Sequence, residues 1–261
     1  MSDDPTSWVL RRSGFWRRAA AFLTDLAVVL LPLQLVVSVL FALTHGMIQG
    51  RFGISTTACT PLTELPPGLK TRIADPTRIV DCRTSLFGFD TSRFLHVDRS
   101  QTDGAVTTGV FERIRLDADG QFMDPAGYDV SWIAGLVLLV YLVGMEASRG
   151  QTVGKRLLGI RTIVRSRGGT IGIGVLRALA RRLAMMLGAV ATLPALAMVF
   201  WSDGSIEGMS RLVHDRTYWA ASTGGAVVVM AWFVWIAVSM ARKRDPVYDR
   251  IVGTAVVRAS P

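Results

Sequence analysis

The chain has 261 residues, half of them apolar, with a mean hydropathy of +0.38 and a formal charge of +9. In a soluble protein this charge would indicate binding to nucleic acid. Four apolar segments exclude a soluble protein, because each is about as long as the roughly 20 residues with which a helix crosses the bilayer core. These segments comprise residues 19–43, 130–147, 183–201 and 219–241.

Basic and near-neutral segments alternate between the apolar ones. Residues 1–18 carry four Arg and two Asp, residues 146–182 carry nine Lys/Arg and one Glu, and residues 242–261 carry five basic and two acidic residues. Residues 44–129 carry nine basic and eleven acidic residues, and residues 202–218 carry two and three. The positive-inside rule predicts that both termini and the 146–182 loop are cytoplasmic, where their charges contact anionic lipids.

The first apolar segment contains a carboxylate, Asp25, about two turns from its start. The segment is longer than the apolar part of a signal peptide, so we expect it to be retained. A membrane-embedded carboxylate costs roughly 2.5–3.5 kcal/mol unless it is paired or lines a cavity. Arg18 projects from the same helix face, but a better partner is a base from another segment, such as Lys155, Arg156 or Arg182. Asp25 is therefore an ion or proton site, one half of a buried ion pair, or a carboxylate that snorkels to the membrane interface.

The segment 44–129 is long enough to form a small folded insert outside the membrane. Residues 110–116 and 121–123, separated by a turn at 117–120, predict a β-hairpin. Cys59 and Cys82 both fall in this insert, where an oxidising compartment favours a disulfide between them. Such a bond would close a loop of about 24 residues and contribute on the order of 3 kcal/mol.

The basic loop and the C-terminal segment each contain a short stretch typical of a strand. Residues 158–165 and 253–257 are rich in β-branched residues, and we predict that they pair in a small sheet that caps the cytoplasmic face. Between them, residues 173–187 follow helical spacing with arginines opposite the apolar positions. This pattern predicts an amphipathic helix that lies on the membrane surface.

No pattern of residues indicates catalysis. The stretch from Gly150 to Lys155 does not match a phosphate-binding loop, because one residue is missing and no Ser or Thr follows the lysine. The three histidines have no Cys or carboxylate at metal-ligand spacing. We therefore predict no enzymatic activity, no cofactor and no metal.

Three separated motifs resemble those of the RDD family of bacterial membrane proteins. They are GFWRRAAAFLTD at 14–25, GQTVGKRLLG at 150–159 and DRIVGTAV at 249–256. The resemblance implies a functional, ion-linked network that contains Arg17, Arg18, Asp25, Gln151, Lys155, Arg156 and Asp249. Asp215 is an alternative for the second family aspartate, because His214 precedes it as in the family, but the Gly-Thr that follows in the family is lacking; Asp249 is favoured.

The expected fold is an all-α membrane protein with four transmembrane helices, an extracytoplasmic insert and a small cytoplasmic β-strand cap. Residues 1–43 form the cytoplasmic anchor and first span, residues 44–129 the insert, and residues 130–261 the other three spans with the basic loop and the C-terminal strand. The expected location is the bacterial inner membrane, with both termini cytoplasmic.

Two functions remain open at this point. The resemblance implies a transporter or cation/proton exchanger, which with so few spans would act as an oligomer. The alternative is a non-catalytic accessory or assembly subunit that contacts another membrane protein through the insert at 44–129. The predicted partners are therefore anionic lipids of the bilayer and either further copies or a second membrane protein, and not nucleic acid.

Overall fold

The computed structural model describes residues 12–66, 68–69, 71–103, 106–123, 127–165, 172–202 and 211–258. The chain divides into two compact units. Unit 1 comprises residues 1–25 and 140–261, and unit 2 comprises residues 26–139. The helices are α1 (Phe15–Leu43), α2 (Ile133–Arg149), α3 (Val153–Leu157), α4 (Val175–Met185), a 3₁₀ helix (Leu187–Thr192), α5 (Leu193–Trp201), α6 (Arg216–Ala241) and α7 (Val247–Ile251). The strands are β1 (Ile48–Gln49), β2 (Thr56–Leu62), β3 (Arg78–Leu86), β4 (Phe89–Asp103), β5 (Val106–Arg115), β6 (Tyr128–Asp129), β7 (Ile160–Val164) and β8 (Thr254–Arg258).

Two helices, α1 and α6, are long and apolar enough to cross a membrane. Their most apolar windows have mean hydropathies of 2.7 and 2.0, yet only 28% and 22% of each window is buried. Apolar side chains that remain uncovered on such long helices are typical of surfaces that face lipid. A third span results if α4 and the stretch Leu187–Trp201, which are bent by 45° at their junction, are counted as one.

The expected all-α fold with four transmembrane helices is wrong. The second predicted span corresponds to α2, whose 17 residues rise only about 25 Å and fall short of the roughly 30 Å hydrocarbon core. The third predicted span is bent rather than continuous. Within the described ranges the chain also forms eight strands in three sheets, so the insert and the cap make it a mixed α and β protein.

Unit 2 is built on a four-stranded antiparallel sheet in the order β2-β3-β4-β5. Ile79 of β3 is opposite Val97 of β4 in the register, and Leu95 lies two residues before Val97, so these three side chains share the face of the sheet that packs on an apolar core. This core consists of Leu69, Ile73, Ile79, Leu95, Val97 and Leu116. The predicted hairpin is only partly present, because β5 pairs along its length with β4 and contacts the returning chain through one bridge, Leu116 to Phe122.

The predicted disulfide is confirmed. Cys59 of β2 and Cys82 of β3 are directly opposite in the antiparallel register, and their sulfurs are bonded. Both cysteines lie within the sheet, so the disulfide links the edge strand β2 covalently to its neighbour β3.

Unit 1 contains the predicted strand pair. β7 and β8 are antiparallel, with Ile160 opposite Arg258 and Val164 opposite Thr254. The chain just before α1 joins this sheet, because the backbone N–H of Ser13 donates to the carbonyl of Val256 at 3.1 Å. Residues 12–13, strand β7 of the basic loop and the C-terminal strand β8 therefore meet in one small sheet.

Helix α4 is amphipathic as predicted. Its residues Leu176 and Leu183 are 83% and 61% exposed, so the described protein leaves its apolar face uncovered and available to lipid. Its basic residue Arg181 is only 6% exposed, because it contacts buried carboxylates of the protein instead of facing water. The location of α4 at the membrane surface stays a prediction.

Candidate functional site

Six charged side chains of unit 1 form one buried network, which we call the charge cluster: Arg18, Glu146, Lys155, Arg181, Arg182 and Asp249. They come from α1, α2, α3, α4 and α7. Glu146 and Asp249 are completely buried. Burial of a carboxylate is tolerable only when cations and hydrogen bonds compensate for the lost hydration.

Arg18 connects the first turn of α1 to the C-terminal part of unit 1. Its Nη1 donates to Asp249 Oδ2 at 3.0 Å, and its Nη2 donates to the carbonyl of Val256 at 3.3 Å. Its Nε donates to Ser13 Oγ at 3.0 Å. The guanidinium therefore fixes the helix start, α7 and β8 relative to one another.

Asp249 is shared between two arginines. Its second carboxylate oxygen, Oδ1, accepts from Arg181 Nε at 2.5 Å and from Thr254 Oγ1 at 3.0 Å. Burial alone would raise the pKa of Asp249, but Arg181 and Arg18 outweigh burial and hold this pKa below its ordinary value. Asp249 is consequently ionised at neutral pH.

Glu146 is the second anionic centre of the cluster and contacts three cations. Its Oε1 accepts from Lys155 Nζ at 2.5 Å and also from Arg182 Nη2, and its Oε2 accepts from Arg181 Nη1 at 2.8 Å. Arg181 thus bridges the two buried carboxylates of the cluster. Four cations face two carboxylates, so the cluster has a formal charge of +2.

Lys155 is the cation of the charge cluster that loses its proton at the lowest pH. Its Nζ donates to Glu146 and, at 2.7 Å, to Thr162 Oγ1 of β7. Burial lowers the pKa of Lys155 to about 8, because the loss of hydration outweighs the attraction of Glu146 and is reinforced by the neighbouring Arg181 and Arg182. Lys155 therefore titrates near physiological pH.

Asp25 lies beside the charge cluster but is satisfied by neutral donors. Its Oδ2 accepts from Thr152 Oγ1 at 2.5 Å, and its Oδ1 accepts from Tyr141 OH at 2.9 Å and from the Gly154 N–H at 2.8 Å. In the described part of the chain it has no ion pair, so none of the expected basic partners contacts it. The carboxylate instead holds the start of α3 against α1.

Glycine at position 154 is required by this close approach. A Cβ on Gly154 would lie 2.0 Å from the carbonyl oxygen of Ala21 and 3.0 Å from Asp25 Oδ1. The glycine of the 150–159 motif thus serves helix packing, with the loop folded onto the first turns of α1.

A half-open cavity of about 390 Å³ adjoins both Asp25 and the charge cluster. Its polar lining consists of the phenol of Tyr248 and five charged side chains, namely Arg18, Asp25, Lys155, Arg181 and Arg182. The remaining walls are apolar and come mainly from α1 and α6, including Phe22, Phe233, Ile236 and Met240. Glu146 and Asp249 lie behind the cations and do not line the cavity.

The structure brings together four of the residues predicted from the family motifs: Arg18, Asp25, Lys155 and Asp249. Arg17 and Arg156 are exposed. Gln151 does not line the cavity. Its Nε2 instead donates to the carbonyl of Ile160 at 3.0 Å.

Asp215 has a different role from Asp249. It is the N-cap of α6, where its Oδ1 accepts from the backbone N–H of Thr217 at 2.8 Å and from Thr217 Oγ1 at 2.6 Å. These local contacts satisfy the start of the helix and do not reach the charge cluster.

Sequence reasoning missed the centre of the cluster, Glu146 with Arg181. A signal was present, because Glu146 is the single acidic residue among nine bases in the segment 146–182. Thr152 and Tyr141, which bind Asp25, gave no comparable signal. Among the described residues no group of three or more His, Cys, Asp or Glu side chains could hold a metal ion.

One comparison with known proteins gives a match. A family model described as the RDD family matches residues 120–253, which is 134 of 261 residues. The matched range includes Glu146, Lys155, Arg181 and Asp249, whereas Arg18 and Asp25 precede it. Searches of curated proteins and of solved structures gave no match.

Proposed function

Because this chain belongs to the RDD family, we propose that it is a multi-pass protein of the bacterial inner membrane that transports a small solute or ion through unit 1. The observation that carries this proposal is the cavity, where charged side chains meet apolar walls from the candidate spans α1 and α6. Charged residues at membrane depth are expensive, and those that line a cavity commonly mark a substrate or ion path. The proposal includes no catalytic step.

The small sheet of unit 1 supports a topology with both termini in the cytoplasm. Arg12 forms a bridge with Val257, and β8 pairs with β7. Segments that share one sheet lie on the same side of a membrane, and all three segments are basic. We therefore place residues 12–13, β7 and β8 together on the cytoplasmic side.

Cation/proton exchange, which the family resemblance implies, is the less favoured form of this transport, because four cations and one carboxylate line the cavity. Asp25 is the one carboxylate among the described residues that line the cavity, so it is the candidate proton-linked group. Few spans are available in one chain, so we propose an oligomer as the transporting species.

The test is flux in proteoliposomes that contain the purified full chain. An imposed gradient of Na⁺, K⁺ or a small organic anion should drive movement of solute or protons, detected with a trapped pH-sensitive dye or a radiolabel. Arg18→Gln should abolish this flux, and Arg17→Gln, its exposed neighbour on α1, should not. Asp25→Asn should abolish proton-coupled flux; unchanged coupling in a folded Asp25→Asn protein would remove Asp25 from the mechanism.

A second candidate function, an accessory subunit of a larger complex, is favoured by unit 2. Its phenylalanines Phe87, Phe89 and Phe111 are 84%, 63% and 69% exposed, and exposed aromatic residues are enriched where proteins bind partners. Replacing residues 50–125 by a flexible linker removes the four-stranded sheet but leaves β1 and β6. Native mass spectrometry should then show that a stoichiometric partner is lost. A homo-oligomer at a multiple of 28.4 kDa before the deletion would instead favour the transporter.

A further inference from the structure

The cavity of unit 1 is lined by more positive than negative charges, and this excess favours an anionic ligand. Four cations line it, while the two carboxylates that pair with them are fully buried behind. Counting Asp25 with Glu146 and Asp249, four positive charges face three negative ones. The surroundings of the cavity therefore have an excess of one positive charge, and its lining is more positive still.

One of these cations retains an unused donor. Arg182 Nη2 donates to Glu146, but Arg182 Nε is buried and has no hydrogen-bond partner in the described part of the chain. An unpaired guanidinium N–H in a buried position is unfavourable. Arg182 lines the cavity, but its Nε is enclosed, so an anionic acceptor in the cavity reaches this N–H only if the guanidinium turns when the ligand binds.

The apolar walls lead from the cations to the protein surface. Phe22 of α1 and Phe233 of α6 line the cavity and are 39% and 47% exposed. Both lie on helices that are candidate membrane spans. A molecule could therefore place its charged end at the arginines while its apolar part lies along the surface that faces the acyl chains of the bilayer.

We propose that this cavity binds an anionic membrane lipid, with the head-group phosphate at Arg181, Arg182 and Lys155 and the acyl part along Phe22 and Phe233. Basic pockets between membrane helices are suited to such head groups. The proposal rests on the proposed function in that it assigns the ligand of the same cavity. It is more specific than the general attraction of the basic loops for anionic lipids, because it names a buried site with one saturable ligand.

Chemistry distinguishes the lipid from its alternatives. A zwitterionic lipid brings a cation that the positive lining repels, whereas free phosphate supplies the anion but leaves the apolar walls bare. Affinity should therefore require both a net negative head group and an acyl chain.

The experiment uses delipidated full-length protein in a mild detergent. Native mass spectrometry follows titration with phosphatidylglycerol, phosphatidylcholine of the same acyl chains, and inorganic phosphate. We expect one saturable phosphatidylglycerol per chain and binding of the other two probes that is weaker by about tenfold or more. Equal binding of the two lipids, or phosphate binding as strong as that of phosphatidylglycerol, would overturn the proposal.

Variants then locate the site. Arg182→Gln should weaken phosphatidylglycerol binding by about tenfold or more, the effect of losing a charge-assisted hydrogen bond. Arg182→Lys keeps the charge but lacks the guanidinium with its several donors, so it should also bind phosphatidylglycerol more weakly. Arg177→Gln, on the same helix but outside the cavity lining, should bind as the wild type does. Wild-type affinity in the folded Arg182→Lys and Phe233→Ala proteins would refute this placement.

The outcomes separate this inference from the proposed function. Phosphatidylglycerol binding without any flux in proteoliposomes would keep the lipid site and contradict transport. Flux of a small solute without saturable lipid binding would do the opposite.

Discussion

The two units of this chain bury polar groups in opposite ways. Unit 2 has an apolar core under a four-stranded sheet, a disulfide between adjacent strands and a largely buried ion pair of Arg93 with Asp81. In the described part of unit 1 the apolar clusters are small, and a network of six charges spans five helices. Removing one member of a buried charge network leaves its partners uncompensated, at a cost of about 3–5 kcal/mol. A neutral isostere at an exposed charged position changes the free energy of unfolding by only about 0.5 kcal/mol or less. The comparison therefore predicts that neutralising a member of the charge cluster of unit 1 is far more damaging than neutralising an exposed residue of unit 2.

The largest effect should follow Glu146→Gln. The variant leaves three buried cations, Lys155, Arg181 and Arg182, without their shared carboxylate, at a cost of about 3–5 kcal/mol. Thermal unfolding in detergent measures the loss. Glu64→Gln makes the same substitution at an exposed position of unit 2 and should leave the unfolding temperature unchanged. Similar unfolding temperatures for the two variants would break the comparison.

A somewhat smaller loss is expected for Asp249→Asn, because two rather than three cations lose their partner. The matched control is Asp215→Asn, which keeps a residue suited to an N-cap at an exposed helix start. Chemical unfolding curves of both variants decide between the two family aspartates. The network assigns the structural role to Asp249, and a larger loss for Asp215→Asn would reverse that assignment.

Removal of the disulfide should destabilise unit 2 by about 3 kcal/mol and leave unit 1 intact. The double variant Cys59→Ser with Cys82→Ser tests this. Limited proteolysis should cut the sheet of unit 2 more readily, while fragments that contain the charge cluster stay protected. Faster cleavage within α3 or α4 as well would show that the two units do not respond independently.

The smallest effect concerns pH. The folded pKa of Lys155 is about 8 against 10.5 in an unfolded chain, so the unfolded state binds more protons between these values. Stability should therefore rise as the pH increases from 8 to 10.5, by at most about 3 kcal/mol. The groups that face Lys155 are Glu146 from α2, Arg181 and Arg182 from α4, and Thr162 from β7. Unfolding temperatures across this range should show the rise in the wild type and not in Lys155→Met.

Local patterns predicted much of the fold. The β-branched stretches at 158–165 and 253–257 identified β7 and β8 and their pairing, because strand propensity is visible in a few neighbouring residues. The long apolar segments identified α1 and α6, because hydropathy is likewise visible in a continuous stretch of residues. Of the four-stranded sheet of unit 2, only the strand β5 was predicted, and its partner was wrongly placed at residues 121–123 instead of β4. The order of the strands depends on which segments pair, and no local period of the sequence reveals this.

The sequence predicted several residues of the candidate site but not which of them contact one another. Charge and motif position indicated Arg18, Asp25, Lys155 and Asp249, and all four meet at or beside one cavity. The expectation that a base pairs with Asp25 was wrong, because two hydroxyls and one backbone N–H satisfy that carboxylate. Helical periodicity predicted that Arg181 faces water. Arg181 instead points inward, because it pairs with the buried carboxylates of Glu146 and Asp249.

The contact between Arg18 and Asp249 joins residues 231 positions apart in the chain. Arg18 is translated long before Asp249, so this arginine lacks its carboxylate until translation has passed residue 249 and α7 is in place. A chain that stops before Asp249 would leave Arg18 and Arg181 without the carboxylate that they share. The charge cluster therefore cannot form completely during the synthesis of the residues that precede α7.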